Sequence, residues 1–166
     1  MIIVADSGPI ISFARAGRLD VLKQVTTELI IPNAVFEELV ASGDDRPGAK
    51  EVKHGLWIKQ MTLQDRSLLE HMPGKLSPGE SEAILLAKEL DAYLLVDELK
   101  ARKEASRLGI NYFGSLRIIK EAKDHGVISK AKAVLDDLIA SSTYLDDSLY
   151  QQFLREMGEE EEAPRK

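Results

Sequence analysis

Two aspartates in this chain each follow a short apolar run of the kind that forms a buried strand. Asp6 comes directly after residues 2–5, and Asp97 comes directly after residues 93–96. In an open sheet of parallel strands, ligands and catalytic groups gather at the carboxyl ends of the strands. If these two strands are neighbours, both carboxylates lie at one edge of the sheet.

Two glutamates are predicted to lie near the same edge. Glu38 is on a helix after the second predicted strand, and Glu82 lies in the first turns of a helix that starts at Pro78. Crowded carboxylates repel one another unless they share a cation, and oxygen donors suit Mg²⁺ or Mn²⁺ rather than Zn²⁺. The expected chemistry is metal-assisted hydrolysis, in which the ion activates water and neutralises charge on a phosphodiester.

The acidic residues also have structural interpretations. Asp6 is placed to cap the helix that follows it, and Asp97 and Glu98 interact favourably with the dipole of a helix that starts there. Glu80 stands three residues after Ser77, which is a capping box. By default, a helical glutamate such as Glu38 is a solvated surface residue.

Apolar runs and turn signals predict that strands alternate with helices, as in βαβ units. The predicted strands cover residues 2–5, 28–31, 56–59, 93–96 and 110–113. We expect an α/β fold with a doubly wound parallel sheet of five strands in the order 3-2-1-4-5 and helices on both faces. In that order the first and fourth strands are neighbours, so Asp6 and Asp97 meet.

The end of the chain is predicted to be helical. Residues 129–157 carry two apolar faces at helical spacing and predict a helical hairpin that either covers the sheet or faces a partner. Residues 158–166 are predicted to form a disordered acidic tail. One domain is therefore expected at residues 1–157.

The composition excludes several classes of protein. There is no cysteine among the 166 residues, which excludes disulfides, zinc-thiolate sites and thiol nucleophiles. No phosphate-binding glycine loop and no nucleophile elbow occurs. No apolar run approaches the roughly 20 residues of a membrane span, and the N-terminus lacks the features of a signal peptide. We expect a cytoplasmic protein that does not associate with a membrane.

The net charge of −6 is unevenly distributed. Residues 99–123 carry seven basic and two acidic side chains, so this segment is +5 and the remainder is −11. One interpretation is a set of solvated helix faces with ion pairs four residues apart, and the other is a contact surface for phosphates. Arg102 is the candidate in this segment for holding a phosphate backbone. Ser7 is a candidate for orienting Asp6 or a scissile phosphate.

Four segments follow one another along the chain with a specific order and spacing. They are VADSGPIISFARAGRLDVL, IIPNAVFEEL, LSPGESEAILLAKEL, and YLLVDELKARKEASRLGI followed by GSL. This set resembles the PIN-domain ribonucleases, most of which are VapC-like toxins of toxin–antitoxin modules. The resemblance extends to about Met157 and includes the helical hairpin found in one prokaryotic branch of the family.

The resemblance implies a Mg²⁺- or Mn²⁺-dependent endoribonuclease that acts on RNA, is usually a homodimer and has a small antitoxin protein as its partner. The acidic positions of the family fall on Asp6, Glu38, Glu82 and Asp97. In this assignment Asp6 and Asp97 bind the metal most directly, and Glu82 and Glu38 complete its shell directly or through water. Repulsion among the four carboxylates predicts that Asp97→Asn stabilises the metal-free protein.

The chain departs from the family pattern at three places. Glu82-Ala83 replaces a common Asp-Ala pair, and Glu98 stands where a second Asp is common. Gly114-Ser115 replaces a common Gly-Thr, which makes Ser115 a candidate for substrate binding. All three changes keep the charge or the hydroxyl group.

Two other functions fit the predicted fold. One is a non-catalytic PIN-fold module that binds RNA or protein, for which four clustered carboxylates are not required. The other is a phosphotransfer domain of the response-regulator type. That domain needs a lysine after the fifth strand, where this chain has Phe113-Gly114-Ser115.

Overall fold

The computed structural model describes residues 1–41, 43–141 and 143–160. The strands are β1 (Ile3–Ala5), β2 (Leu29–Pro32), β3 (Ile58–Met61), β4 (Tyr93–Leu95) and β5 (Tyr112–Phe113). The helices are α1 (Ser7–Arg15), α2 (Leu19–Thr26), α3 (Asn33–Val40), α4 (Ala49–His54), α5 (Pro78–Leu90), α6 (Leu99–Arg107), α7 (Ser115–Asp124), α8 (Ala131–Ser141) and α9 (Asp147–Glu156). A 3₁₀ helix at Ser67–His71 precedes α5.

Within the described ranges, the strands form one parallel sheet in the order β3-β2-β1-β4-β5. This confirms the predicted α/β fold and strand order. Ala5 lies opposite Leu95, so β1 and β4 end at the same level. Both ends are fully buried, because the central strands are covered on both faces.

Helices cover both faces of the sheet. Helix α5 packs across β1, β2 and β4, with α3 and α6 against it, while α1, α2, α7 and α8 pack against one another. The predicted capping box sets the start of α5. Ser77 Oγ accepts a hydrogen bond from the Glu80 N–H at 3.1 Å, and Glu80 Oε1 accepts one from the Ser77 N–H at 2.8 Å.

The edge strands differ most from their predicted bounds. The third strand begins at Ile58 rather than at residue 56, and Leu56 is 92% exposed. The fifth strand is only Tyr112–Phe113, whereas residues 110–113 were predicted. An edge strand forms backbone hydrogen bonds with a neighbouring strand on one side only. Its first and last residues are therefore less strictly determined by an apolar run than those of a central strand.

The helical hairpin covers the body of the domain. Helix α8 packs against α1 and α7, and α9 contributes buried Phe153 and Leu154. The hydroxyl of Tyr150 on α9 donates a hydrogen bond to Asp136 Oδ1 on α8 at 2.7 Å. Among the described residues, no helix is both long enough and apolar enough to cross a bilayer.

Glu159, the second residue of the predicted tail, is held by contacts with α7 and α8. The carboxylate of Glu159 accepts hydrogen bonds from the N–H groups of Ala131 and Lys132 at 2.8 and 3.0 Å, and pairs with Lys123. Glu159 thus caps the start of α8 and holds it against the end of α9. Residues 161–166, where the rest of the disordered tail was predicted, lie outside the described residues.

Candidate active site

An open cavity of about 580 Å³ lies at the carboxyl ends of β1 and β4. The Asp6 N–H donates a hydrogen bond to the Leu95 carbonyl at 3.0 Å, so the chain leaves β1 directly beside the end of β4. The described lining contains five carboxylates and no lysine or arginine. The carboxylates are those of Asp6, Glu38, Glu80, Asp97 and Glu98. The structure therefore brings Asp6, Glu38 and Asp97 together.

Asp6 is the most perturbed acid of the cavity. It is 6% exposed, and its Oδ1 has no hydrogen-bond partner among the described residues. Burial raises the pKa of its carboxyl to about 7. The N–H of Ser7 opposes this rise, and the negative charges of Glu80 and Glu38 add to it. A buried carboxylate oxygen without a donor is costly, so the site is suited to a positive ligand.

Glu38 is positioned by contacts from α1 and α5. The hydroxyl of Ser7 donates a hydrogen bond to Glu38 Oε1 at 3.0 Å. A Cβ atom at Gly79 would lie 2.9 Å from Glu38 Oε2 and 3.8 Å from Asp6 Oδ1. A side chain at this position would therefore have to displace the Glu38 carboxylate from its place beside Asp6. Glu38 and Asp6 therefore both face the amino end of α5, whose dipole favours negative charge.

Asp97 is fixed by the start of α7. Its Oδ1 accepts a hydrogen bond from the Ser115 N–H at 2.8 Å, and its Oδ2 accepts one from the Ser115 hydroxyl at 2.6 Å. Arg102 donates through Nε to the Val96 carbonyl at 3.0 Å and places Nη2 3.6 Å from Asp97 Oδ1. A Cβ at Gly114 would lie 2.5 Å from that same oxygen. Ser115 and Arg102, two of the three candidates for substrate binding, thus hold Asp97.

The helix α5 presents Glu80 rather than Glu82 to the cavity. Glu82 is buried, but it is absent from the described lining, and its Oε1 lies 3.6 Å from Nη1 of Arg66. Two residues along a helix of 3.6 residues per turn amount to a rotation of about 200°. The two side chains therefore point to different sides of α5. The structure does not bring Glu82 together with the other predicted site residues.

The basic segment at residues 99–123 is largely neutralised by ion pairs. Arg102 pairs with Asp97, and the other pairs are Arg107 with Glu104, Arg117 with Glu121, Lys120 with Asp124 and Lys123 with Glu159. Only the first of these pairs adjoins the acidic cavity. The structure therefore favours the interpretation of these basic residues as ion-paired side chains on helix faces over their interpretation as a phosphate-binding surface.

Sequence reasoning missed several residues of the described cavity lining, of which Glu80, Thr143 and Tyr144 bear most on its chemistry. From the sequence alone the capping box is the better explanation of Glu80, so Glu80 is not among the predicted site residues. Thr143 and Tyr144 line the cavity from the loop between α8 and α9. No sequence motif predicts Thr143 and Tyr144 as cavity residues. They reach the edge of the sheet only because the hairpin packs on α1 and α7. The one sequence signal is an aromatic residue inside a polar loop.

The donor set fits a hard divalent cation. Among the described residues, no three acidic or imidazole groups are gathered closely enough to hold an ion by themselves. Mg²⁺ usually keeps several waters and is held by one or two carboxylates together with substrate phosphates. Asp6, with its unpaired buried oxygen, would hold the ion, and Glu38, Glu80 and Asp97 would act directly or through water.

A second cavity, of about 480 Å³, lies at the amino ends of β1, β4 and β5. Its lining is mostly apolar and aromatic, and its described residues include a single carboxylate, Glu121, which pairs with Arg117. It offers no grouped acids for hydrolytic chemistry. The acidic cavity is therefore the candidate active site.

Comparisons with known proteins agree with the fold described above. Residues 2–159 match a family model described as a PIN domain. Among solved structures, the chain is similar to a PilT N-terminus domain protein from the hyperthermophilic archaeon Sulfolobus solfataricus P2. The TM-score is 0.52 and the identity 18%, over 88% of this chain and 98% of the other, which shows a shared fold. No curated protein matches the chain.

Proposed function

Because this chain belongs to the PIN-domain family, whose members are generally nucleases, we propose that it is a Mg²⁺- or Mn²⁺-dependent endoribonuclease. The observation that carries the proposal is the buried, unpaired Oδ1 of Asp6 in a cavity lined by four further carboxylates. Such an arrangement is unfavourable for the protein alone and favourable once a divalent cation neutralises it.

Several residues in and around the cavity would have distinct roles in this function. A divalent cation held in this cavity would supply an activated water and neutralise charge on the phosphodiester. Asp6, in its ionised form, would hold that cation from the end of β1. Ser7 fixes one oxygen of Glu38, and Ser115 and Arg102 fix Asp97. Because these carboxylates are held before substrate arrives, little reorganisation remains for the reaction step.

The resemblance of the motifs supports a more specific role. We infer that the protein is a cytoplasmic VapC-like toxin, that it works with a small antitoxin protein, and that it forms a homodimer. One shallow groove beside α9 is compatible with association. Leu149 of α9 is 39% exposed and borders this groove together with Leu116, Phe153 and four polar or charged residues.

A second candidate function is a non-catalytic module that binds RNA or protein. It is favoured by the observation that, in the described part of the chain, no three acidic groups are gathered closely enough to hold a metal without water or substrate. Such a module would bind RNA without cutting it in any metal.

RNA cleavage with and without metal distinguishes the two functions. We expect the purified protein to cut an unstructured single-stranded RNA internally in Mg²⁺ or Mn²⁺ and to stop in excess EDTA. The Asp6→Asn protein, purified in parallel, controls for contaminating nucleases and should be inactive. Undiminished cutting in EDTA contradicts metal dependence, and RNA binding without cutting in either metal supports the binding module.

A further inference from the structure

The loop between α8 and α9 supplies one wall of the acidic cavity. Two of its described residues are held by hydrogen bonds: the Thr143 N–H donates to the Leu138 carbonyl at 3.0 Å, and Asp146 caps α9 by accepting from the Leu149 N–H at 2.8 Å. Between Thr143 and Asp146, Tyr144 lines the cavity and is 88% exposed. The segment 143–146 is thus anchored at both ends, while the aromatic ring of Tyr144 stands in solvent at the rim.

The charge of the cavity poses a problem for an RNA substrate. Five carboxylates line it, and its described lining contains no basic side chain that could attract phosphates. A divalent cation compensates one phosphate at the site of reaction, but the flanking nucleotides still approach a negative surface. Affinity for those nucleotides must come from their bases rather than from their phosphates.

The lining contains two large, exposed apolar side chains that could meet a base. Tyr144 is 88% exposed, and Leu99, at the start of α6, is 63% exposed. Bases of single-stranded nucleic acids stack on exposed aromatic rings, and such stacking tolerates any sequence because every base has a π-face. A paired base is already stacked in its duplex and is not available in this way.

We propose that Tyr144 is a substrate-binding residue whose ring stacks on an unpaired base next to the scissile phosphate, with Leu99 as a second apolar contact. This proposal rests on the proposed ribonuclease function and specifies its substrate as single-stranded RNA. It also gives the helical hairpin a task at the site, because the hairpin carries the stacking residue.

Binding of a labelled, unstructured RNA oligonucleotide tests the proposal. Fluorescence anisotropy in Mn²⁺ reports binding, and a gel of each sample identifies the readings taken before the RNA is cut, so that binding is compared on intact RNA. We expect Tyr144→Ala to weaken binding about tenfold, within the range for the loss of one stacked base. Tyr144→Phe keeps the ring and should bind like the parent. The same strand annealed in a duplex should bind weakly to both the parent and Tyr144→Ala.

Two further variants separate stacking from a general effect on the fold. Leu56→Ala removes another highly exposed apolar side chain, away from the cavity lining, and should not alter binding. Tyr144→Trp places an indole at the rim, and its fluorescence should change when the oligonucleotide is added. The native Trp57 is 6% exposed, so its signal should stay constant in the parent protein.

The outcomes distinguish this inference from the proposed function. Equal RNA binding by the parent and Tyr144→Ala, with cleavage intact, overturns the stacking role and leaves the ribonuclease function standing. Equal loss in Tyr144→Ala and Tyr144→Phe also overturns it. A parent protein that binds no RNA overturns both proposals.

Discussion

Replacement of Asp6 by asparagine should abolish RNA cleavage and, without metal, make the protein more stable above neutral pH. Asparagine keeps the shape of the buried side chain and removes the charge that desolvation and the neighbouring carboxylates disfavour. It also removes the oxygen proposed to bind the cation. The same substitution is therefore expected to raise stability and to remove activity.

The pH dependence of this effect follows from the pKa of Asp6. The pKa rises from its ordinary value of 3.8 to about 7 in the fold. Between these values the unfolded chain ionises and the folded protein does not, so the parent loses stability as the pH rises and the loss levels off above pH 7. Asp6→Asn should match the parent near pH 4. Above pH 7 it should exceed the parent by up to roughly 4 kcal/mol, at about 1.4 kcal/mol per pKa unit.

Metal should reverse this order. The parent gains stability by mass action when Mn²⁺ binds, and Asp6→Asn gains little. Thermal melts of both proteins at several pH values, in EDTA and in Mn²⁺, measure the difference. Asp20→Asn is the control, since Asp20 is an exposed residue in the first turn of α2. A difference between parent and Asp6→Asn that changes with neither pH nor metal contradicts the assignment.

Glu80→Gln should reduce cleavage far more than Glu82→Gln. Glutamine still completes a capping box, so the start of α5 is preserved while a negative charge is removed from the cavity. We expect a loss of about 10- to 100-fold in activity, the range for residues that support a metal site. Glu82→Gln loses its pairing with Arg66 but leaves the cavity unchanged, so its activity should stay near that of the parent.

The two variants form a matched pair, because both change a buried glutamate on one helix to glutamine. Cleavage rates at saturating Mn²⁺, together with thermal melts, separate an effect on chemistry from an effect on folding. A larger loss of activity in Glu82→Gln, with its fold intact, would restore the assignment made from the family pattern.

The sheet was predictable because its signals are local. Short apolar runs, turn residues and the capping box fix the element order, and the order of a doubly wound sheet then places Asp6 beside Asp97. The largest errors in the predicted strand ends, of two residues each, belong to the edge strands β3 and β5. There, burial constrains one side of the strand only, so an apolar residue such as Leu56 can remain exposed.

The orientation of side chains on α5 was not predictable from the pattern. Glu80 and Glu82 both lie in the first turns of the helix, and only the packing of α5 against β1 decides which of them faces the cavity. Because the capping box already accounts for Glu80, the sequence gives no separate indication that Glu80 also lines the cavity. In the fold, the carboxyl bonded to Ser77 lies close enough to Asp6 to raise the pKa of Asp6.

The structure favours Asp6 over Asp97 as the position where asparagine relieves repulsion among the carboxylates. Asp97 accepts two hydrogen bonds from Ser115 and lies near the guanidinium of Arg102, so its negative charge is well supported. Asp6 has an unpaired buried oxygen instead. The hydrogen bonds between Ser115 and Asp97 join residues that are 18 positions apart in the chain. The spacing of residues in the sequence does not predict such a contact.

Mn²⁺ binding tests the acidic cavity most directly, because it requires neither a substrate nor turnover. In a titration followed by calorimetry above pH 7, we predict saturable binding by the parent and by Glu82→Gln. Binding should be strongly weakened in Glu80→Gln and lost in Asp6→Asn. Equal binding by the parent and Asp6→Asn, or no binding by the folded parent, would contradict a metal site at Asp6.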